Sequence, residues 1–156
     1  MQKIVVGVDG SETAQRALEW AATEAQVRGA GLVVVHAWLP LAGAASPYSA
    51  VVVDPASIAE TARLTLADSV ESLERAGLEV ARLDQVLVQG PAARALIEVA
   101  RDSSLLVVGS RGRGGITGLL LGSVSRQIAQ YATVPVVIIP PAYAERPDAA
   151  TETSAA

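Results

Sequence analysis

Gly109-Ser110-Arg111-Gly112, followed after nine residues by Gly122-Ser123, is the stretch whose residue types and spacing suit a chemical task. The first glycine directly follows the apolar run Leu105-Leu106-Val107-Val108, and the last pair opens an amphipathic stretch. Strand, glycine-rich loop and helix N-terminus, in that order, is how an α/β protein binds phosphate. Glycines let the backbone approach an anion without Cβ interference, and free N–H groups at the positive helix end supply the attraction. Further glycines stand at 114, 115 and 118. So many in one connection raise the chain entropy lost on folding, which a plain connection has no need to do. Replacing Gly109 or Gly122 with a bulkier residue is expected to obstruct the phosphate path and leave the fold intact.

A Walker-type loop is excluded, because it needs Gly-Lys-Ser/Thr and the chain's single lysine is Lys3. Positive charge near the loop must come from Arg111, Arg113 or Arg126. Arg111 is assigned to phosphate; Arg113 and Arg126 are read as solvated surface arginines. The hydroxyls of Ser123 and Ser125 are further candidate donors. Asp9 competes with Ser11 to cap the first helix; Ser11 is better placed, which leaves Asp9 free. His36 is the only histidine, and with no cysteine and no neighbouring carboxylate it forms neither a metal site nor a catalytic triad. It is read as a packed strand residue. Trp38 and Tyr48 either line a pocket mouth or cover core.

The elements that position these residues follow from the apolar pattern. A chain of 156 residues fits one domain with a true core. It is 51% hydrophobic but only 3% aromatic and lacks Phe, so aliphatic side chains must fill the interior, as in a parallel sheet buried on both faces. Lys3 to Asp9, Leu32 to Ala37, Glu79 to Gln89, Leu105 to Ser110 and Val136 to Ile139 read as strands. The third is the most polar and is expected at a sheet edge. Helices follow Ser11 (Ala14, Leu18, Ala21, Ala25 on one face, Gly29 as stop), Asp54 (Ile58, Ala62, Leu66, Val70, Leu73, stop at Gly77), Gly90-Pro91 (Ala93, Leu96, Ile97, Ala100) and Gly122 (Val124, Ile128, Tyr131). Leu39 to Asp54 is a loop. From Gly29 to Val53 no residue carries a formal charge, but Pro40, Gly43, Ser46 and Pro47 interrupt the stretch, so a buried strand plus loop is expected rather than a membrane span. Strands alternating with helices imply parallel pairing and right-handed crossovers. The tail over 142–156 has no period and is expected to be disordered.

A formal net charge of −4 argues against nonspecific nucleic-acid binding, and the absence of cysteine removes disulfides and thiolate chemistry. No signal peptide is read at the N-terminus, and a cytoplasmic location is expected.

The set Gly109, Gly112, Gly122, Ser123, spaced G-x-x-G-x₉-G-S, resembles the nucleotide-binding motif of the universal stress protein family. Val5-Val6-Gly7-Val8-Asp9-Gly10-Ser11 resembles its first strand and turn, and Val134-Pro135-Val136-Val137-Ile138-Ile139-Pro140 its last strand. The resemblance covers residues 1–141 as one domain. It implies an open, doubly wound five-stranded parallel sheet of order 3-2-1-4-5, with the switch point between strands 1 and 4. It implies that Gly109, Arg111, Gly112, Gly122, Ser123, Val124 and Ser125 surround the phosphates, with Val108 also among the cofactor-binding residues. Asp9 would then lie near the adenine or ribose, Gly10 would let the backbone turn close to the ligand, and the backbone of Val35 to Ala37 would meet the adenine edge. The ligand implied is ATP, with Mg²⁺ on its phosphates; cyclic AMP shares the same adenine, ribose and phosphate. The family includes a branch that does not bind ATP and lacks these glycines, whereas all four motif positions are filled here. A homodimer through Val136 to Ile139 and an unidentified regulatory protein partner are also implied. The competing readings are an ATP pyrophosphatase-like enzyme, for which Asp9-Gly10-Ser11 lacks the preceding Ser-Gly-Gly, and a pure interaction module.

Overall fold

Runs such as Ile4-Val5-Val6 and Leu32-Val33-Val34-Val35 have no polar alternation, so both faces of their strands must be covered. The computed structural model, which describes residues 2–40, 54–113 and 120–142, shows how. The chain runs β1 (Lys3–Gly7), α1 (Glu12–Arg28), β2 (Gly31–Trp38), α2 (Pro55–Arg75), β3 (Leu83–Gln89), α3 (Ala92–Val99), β4 (Leu105–Gly109), α4 (Ser123–Tyr131), β5 (Val136–Ile139). All pairings are parallel, in the order β3-β2-β1-β4-β5. Tyr48, the glycines at 114, 115 and 118 and the tail from 143 lie outside the described residues.

Successive residues of each strand alternate between two cores. Ile4, Val6, Leu32, Val34 and Val107 pack with Leu18 of α1 and with Leu66 and Leu73 of α2. Val5, Val33, Val35, Leu106 and Val108 pack with Leu96 of α3 and Ile128 of α4. Two helices on each face complete a doubly wound sheet, and among the described residues no helix is long and apolar enough to cross a membrane.

Local signals set the helix ends. The Ser11 hydroxyl accepts from the Ala14 N–H and caps α1, while Gly29 closes it at φ 60°. Asp54 caps α2, with Pro55 in its first turn.

Several boundaries differ from the sequence reading. β1 ends at Gly7 rather than Asp9, because Gly10 turns the chain at φ 77° and the Asp9 carboxylate already bonds to the turn. β3 starts at Leu83 rather than Glu79, since its pairing with β2 begins at Leu32↔Leu83. It is an edge strand, as its polarity suggested. β4 stops at Gly109, one residue early. Tyr131, one of the residues that marked α4, ends the helix and is 61% exposed. Past Ile128 the core is covered instead by Ala132 and Val134, where the chain turns towards β5.

Candidate functional site

The order β3-β2-β1-β4-β5 reverses direction between β1 and β4, and ligands of open α/β sheets bind outside the strand ends at such a point. A cavity of about 430 Å³ opens there, within the usual range of about 300–1,000 Å³ for small-molecule sites. Eleven of the twelve residues singled out from the sequence line it: Asp9, Val35, Ala37, Val108, Gly109, Arg111, Gly112, Gly122, Ser123, Val124 and Ser125. Gly10 does not; it faces a second depression, between α1 and α2. The ends of β2 and β4 form opposite walls with β1 between them, about 10 Å apart at two strand spacings.

The loop after β4 is held by its own backbone. The Gly122 N–H donates to the Ser110 carbonyl (2.7 Å), which brings the two halves of the glycine motif together. The single hydroxyl hydrogen of Ser125 is donated to the same carbonyl (2.8 Å), with the Gly122 carbonyl as an alternative acceptor at 3.1 Å. Ser125 is only 2% exposed, so this hydroxyl braces the loop rather than standing free as a phosphate donor. Ser123 is exposed and remains a candidate donor. The Thr13 hydroxyl donates to the Arg111 carbonyl, tying the loop to α1 across 98 residues of sequence.

α4 begins differently from α1. Its N-cap is Gly122, no side chain caps it, and its first-turn residues Ser123, Val124 and Ser125 all line the cavity. An uncapped helix start leaves N–H donors and the positive end of the helix dipole for an outside acceptor.

The three glycines of the motif have different structural reasons. A Cβ on Gly109 would stand 2.8 Å from the Thr13 carbonyl carbon and 2.9 Å from the Ala14 nitrogen, so β4 and the start of α1 approach too closely for any side chain. The expectation that Gly109 can be enlarged without harm to the fold is therefore corrected. Among the described residues a Cβ on Gly122 would meet nothing nearer than 3.5 Å, and its extended backbone suits any residue. At Gly112 a Cβ would collide with Asp9 Oδ2 at 2.6 Å.

Asp9 is not free. Its Oδ1 accepts from the Ser11 N–H (2.9 Å) and its Oδ2 from the Arg113 N–H (3.2 Å). Ser11 is the α1 cap, as expected. Arg111, Arg113 and Arg126 all line the cavity, although Arg113 and Arg126 are exposed as the sequence reading had them. Among the described residues none of the three guanidiniums is in an ion pair. Asp9 is the one carboxylate among the described lining residues, which thus carry a surplus of positive charge inside a chain of net −4.

Gly7, Val8, Ala14, Ala92 and Leu96 complete the lining and were not singled out from the sequence. Leu96 carried only the signal of a core position. His36 is half-buried and donates from Nδ1 to the Val8 carbonyl (2.7 Å), a packed strand histidine beside β1. Trp38 is half-buried at the end of β2 and does not line the cavity.

The model of the universal stress protein family matches residues 1–140. The chain belongs to this family. A universal stress protein of Mycobacterium tuberculosis is 36% identical over 135 residues, which is 86% of this chain and 44% of that protein. This chain thus spans less than half the length of the curated relatives that it matches. Among solved structures, a universal stress protein in complex with cAMP is 28% identical with a TM-score of 0.66, covering 88% of this chain and 96% of that one. The universal stress protein from Archaeoglobus fulgidus in complex with dAMP is 27% identical with a TM-score of 0.65, covering 89% and 98%.

Proposed function

We propose that this member of the universal stress protein family binds an adenine nucleotide, ATP above all, in the cavity between β1 and β4, and serves as a cytoplasmic regulator in the stress response. The observation that carries the reading is the uncapped start of α4, opening on Gly122 beside three arginines free of ion pairs among the described residues. Donors and cations gathered at one end of a cavity suit a chain of phosphates. On the β2 side Val35 and Ala37 offer an apolar wall to a flat base. Similar proteins solved with cAMP and dAMP support the adenine part of the ligand. The surplus of positive charge favours ATP over a cyclic monophosphate. Mg²⁺ would be carried by the phosphates, because the described lining holds a single carboxylate and no cluster of metal-ligating side chains occurs among the described residues. Mass spectrometry of small molecules released by denaturing the purified protein tests the reading. Recovery of ATP or ADP is expected; a stoichiometric ligand without adenine would overturn it.

The bound nucleotide is held rather than consumed. Hydrolysis needs a positioned water and stabilisation of the charge that develops as the γ-phosphate departs. Asp9, the one carboxylate among the described lining residues, is bonded to two backbone N–H groups, and arginines that neutralise charge equally in ground and transition states do not accelerate the step. With Mg²⁺ and saturating ATP, phosphate release is expected at least about a hundredfold below the typical enzymatic 10 s⁻¹. Turnover near one per second, lost in Asp9→Ala, would make the protein an enzyme.

The same reading includes a homodimer through β5. Val136, Val137, Ile138 and Ile139 form an edge strand that is only half-buried in the single chain, with no polar residue among them. Antiparallel pairing with a twofold mate would cover both the open backbone groups and the apolar side chains. Light scattering at micromolar concentration should give twice the 16.0 kDa of one chain; a monomer mass would end the proposal.

A further inference from the structure

We propose that Asp9 is the positioning residue of the glycine loop, a carboxylate latch that fixes the loop's donors in place before any ligand arrives. The inference rests, for its functional half, on the reading that the cavity takes an adenine nucleotide. Its structural half stands alone. One oxygen of Asp9 is held by the Ser11 N–H in the turn after β1, and the other by the Arg113 N–H in the loop after β4. The carboxylate therefore bridges two segments 104 residues apart in sequence. It lies so close to Gly112 that a Cβ there would sit 2.6 Å from Oδ2. No positive φ requires glycine at 112, since the positive-φ glycines among the described residues are Gly10, Gly29, Gly77 and Gly90. A side chain at 112 would displace the Asp9 carboxylate, whose Oδ2 occupies the place of its Cβ.

This assigns two motif residues to one device. Carboxylate–N–H bonds are charge-assisted and stronger than neutral ones. A latch of this kind orients Gly112 and Arg113, both of which line the cavity, so that less ordering is left for the ligand to impose. It also places a negative charge beside the phosphate end. A carboxylate that served only as a nucleoside contact would have no reason to be tied to Arg113.

A double-mutant cycle on the ligand-free protein reads the latch directly. Gly112→Ala should lower Tm by about 3–6 °C in the wild-type background, because the methyl group expels the carboxylate from its N–H partners. In the Asp9→Ala background the same change should cost nothing, since the space is vacant and Ala suits a negative φ. Equal Tm losses in the two backgrounds would overturn the latch. The functional half is read by titrating wild type and Asp9→Ala with ATP and with adenosine. A positioning role predicts that ATP affinity falls at least about tenfold more than adenosine affinity. Equal losses would reduce Asp9 to a nucleoside contact. An unchanged or tighter ATP affinity, the result of merely deleting a negative charge, would equally refute positioning. If wild type binds neither ligand, the nucleotide reading fails while the Tm cycle still decides the latch.

Discussion

Gly109→Ala should lose about 3 kcal/mol of stability, a drop of roughly 6–12 °C in Tm for a chain of this size. The added methyl carbon would stand 2.8 Å from the Thr13 carbonyl carbon and 2.9 Å from the Ala14 nitrogen. Those are backbone atoms of the first turn of α1 and cannot swing aside as a side-chain end can. Relief requires α1 to move away from β4, loosening a core in which Leu18, Val6 and Val107 are fully buried. The effect belongs at the upper end of the range for overpacking for that reason. Gly122→Ala is the control: its Cβ meets only ordinary contacts at 3.5 Å, so it should lose no more than about 1 kcal/mol, the difference between glycine and alanine at an N-cap. Thermal melts of the two variants check this. Equal stabilities would mean that Gly109 is present for ligand access alone.

Gly122→Val should do the reverse, keeping the fold and losing the ligand. The extended backbone at 122 accepts a β-branched residue, and the site has room for the first carbon. The branched methyl groups would reach into the space over the uncapped start of α4, where the phosphates are proposed to lie. Denying an anion one or two charge-assisted hydrogen bonds, each worth about 1.5–3 kcal/mol, weakens binding from about tenfold to more than a hundredfold. A parallel loss of Tm would instead assign Gly122 to the fold.

What was legible in the sequence was what local pattern encodes. Strands with unbroken aliphatic runs announced burial on both faces, and β1, β2 and β4 are buried so. Ser11 and Gly29 bracketed α1 because cap chemistry is local. The strand order came from the resemblance to a family, since pairing of β1 with β4 depends on contacts a hundred residues apart. Contacts of that kind account for what was misread. Asp9 looked free because one of its two partners, Arg113, lies on another loop, and the bond from the Ser11 N–H in its own turn was not read. Gly109 looked like a ligand glycine because nothing near it in sequence shows that Thr13 and Ala14 press against it. Ser125 looked like a donor to phosphate until burial turned its hydroxyl to Ser110. The start of β3 was misplaced because Glu79 to Arg82 are no more polar than the edge strand that follows.

Calorimetric titration of the wild-type protein with ATP, with Gly122→Val beside it, tests the central claim most directly. The account predicts saturable binding of ATP at one site per chain, tighter than cyclic AMP, and at least about tenfold weaker in the variant. No adenine nucleotide binding below about millimolar, a limit near −4 kcal/mol, or the same affinity in both proteins, would contradict it.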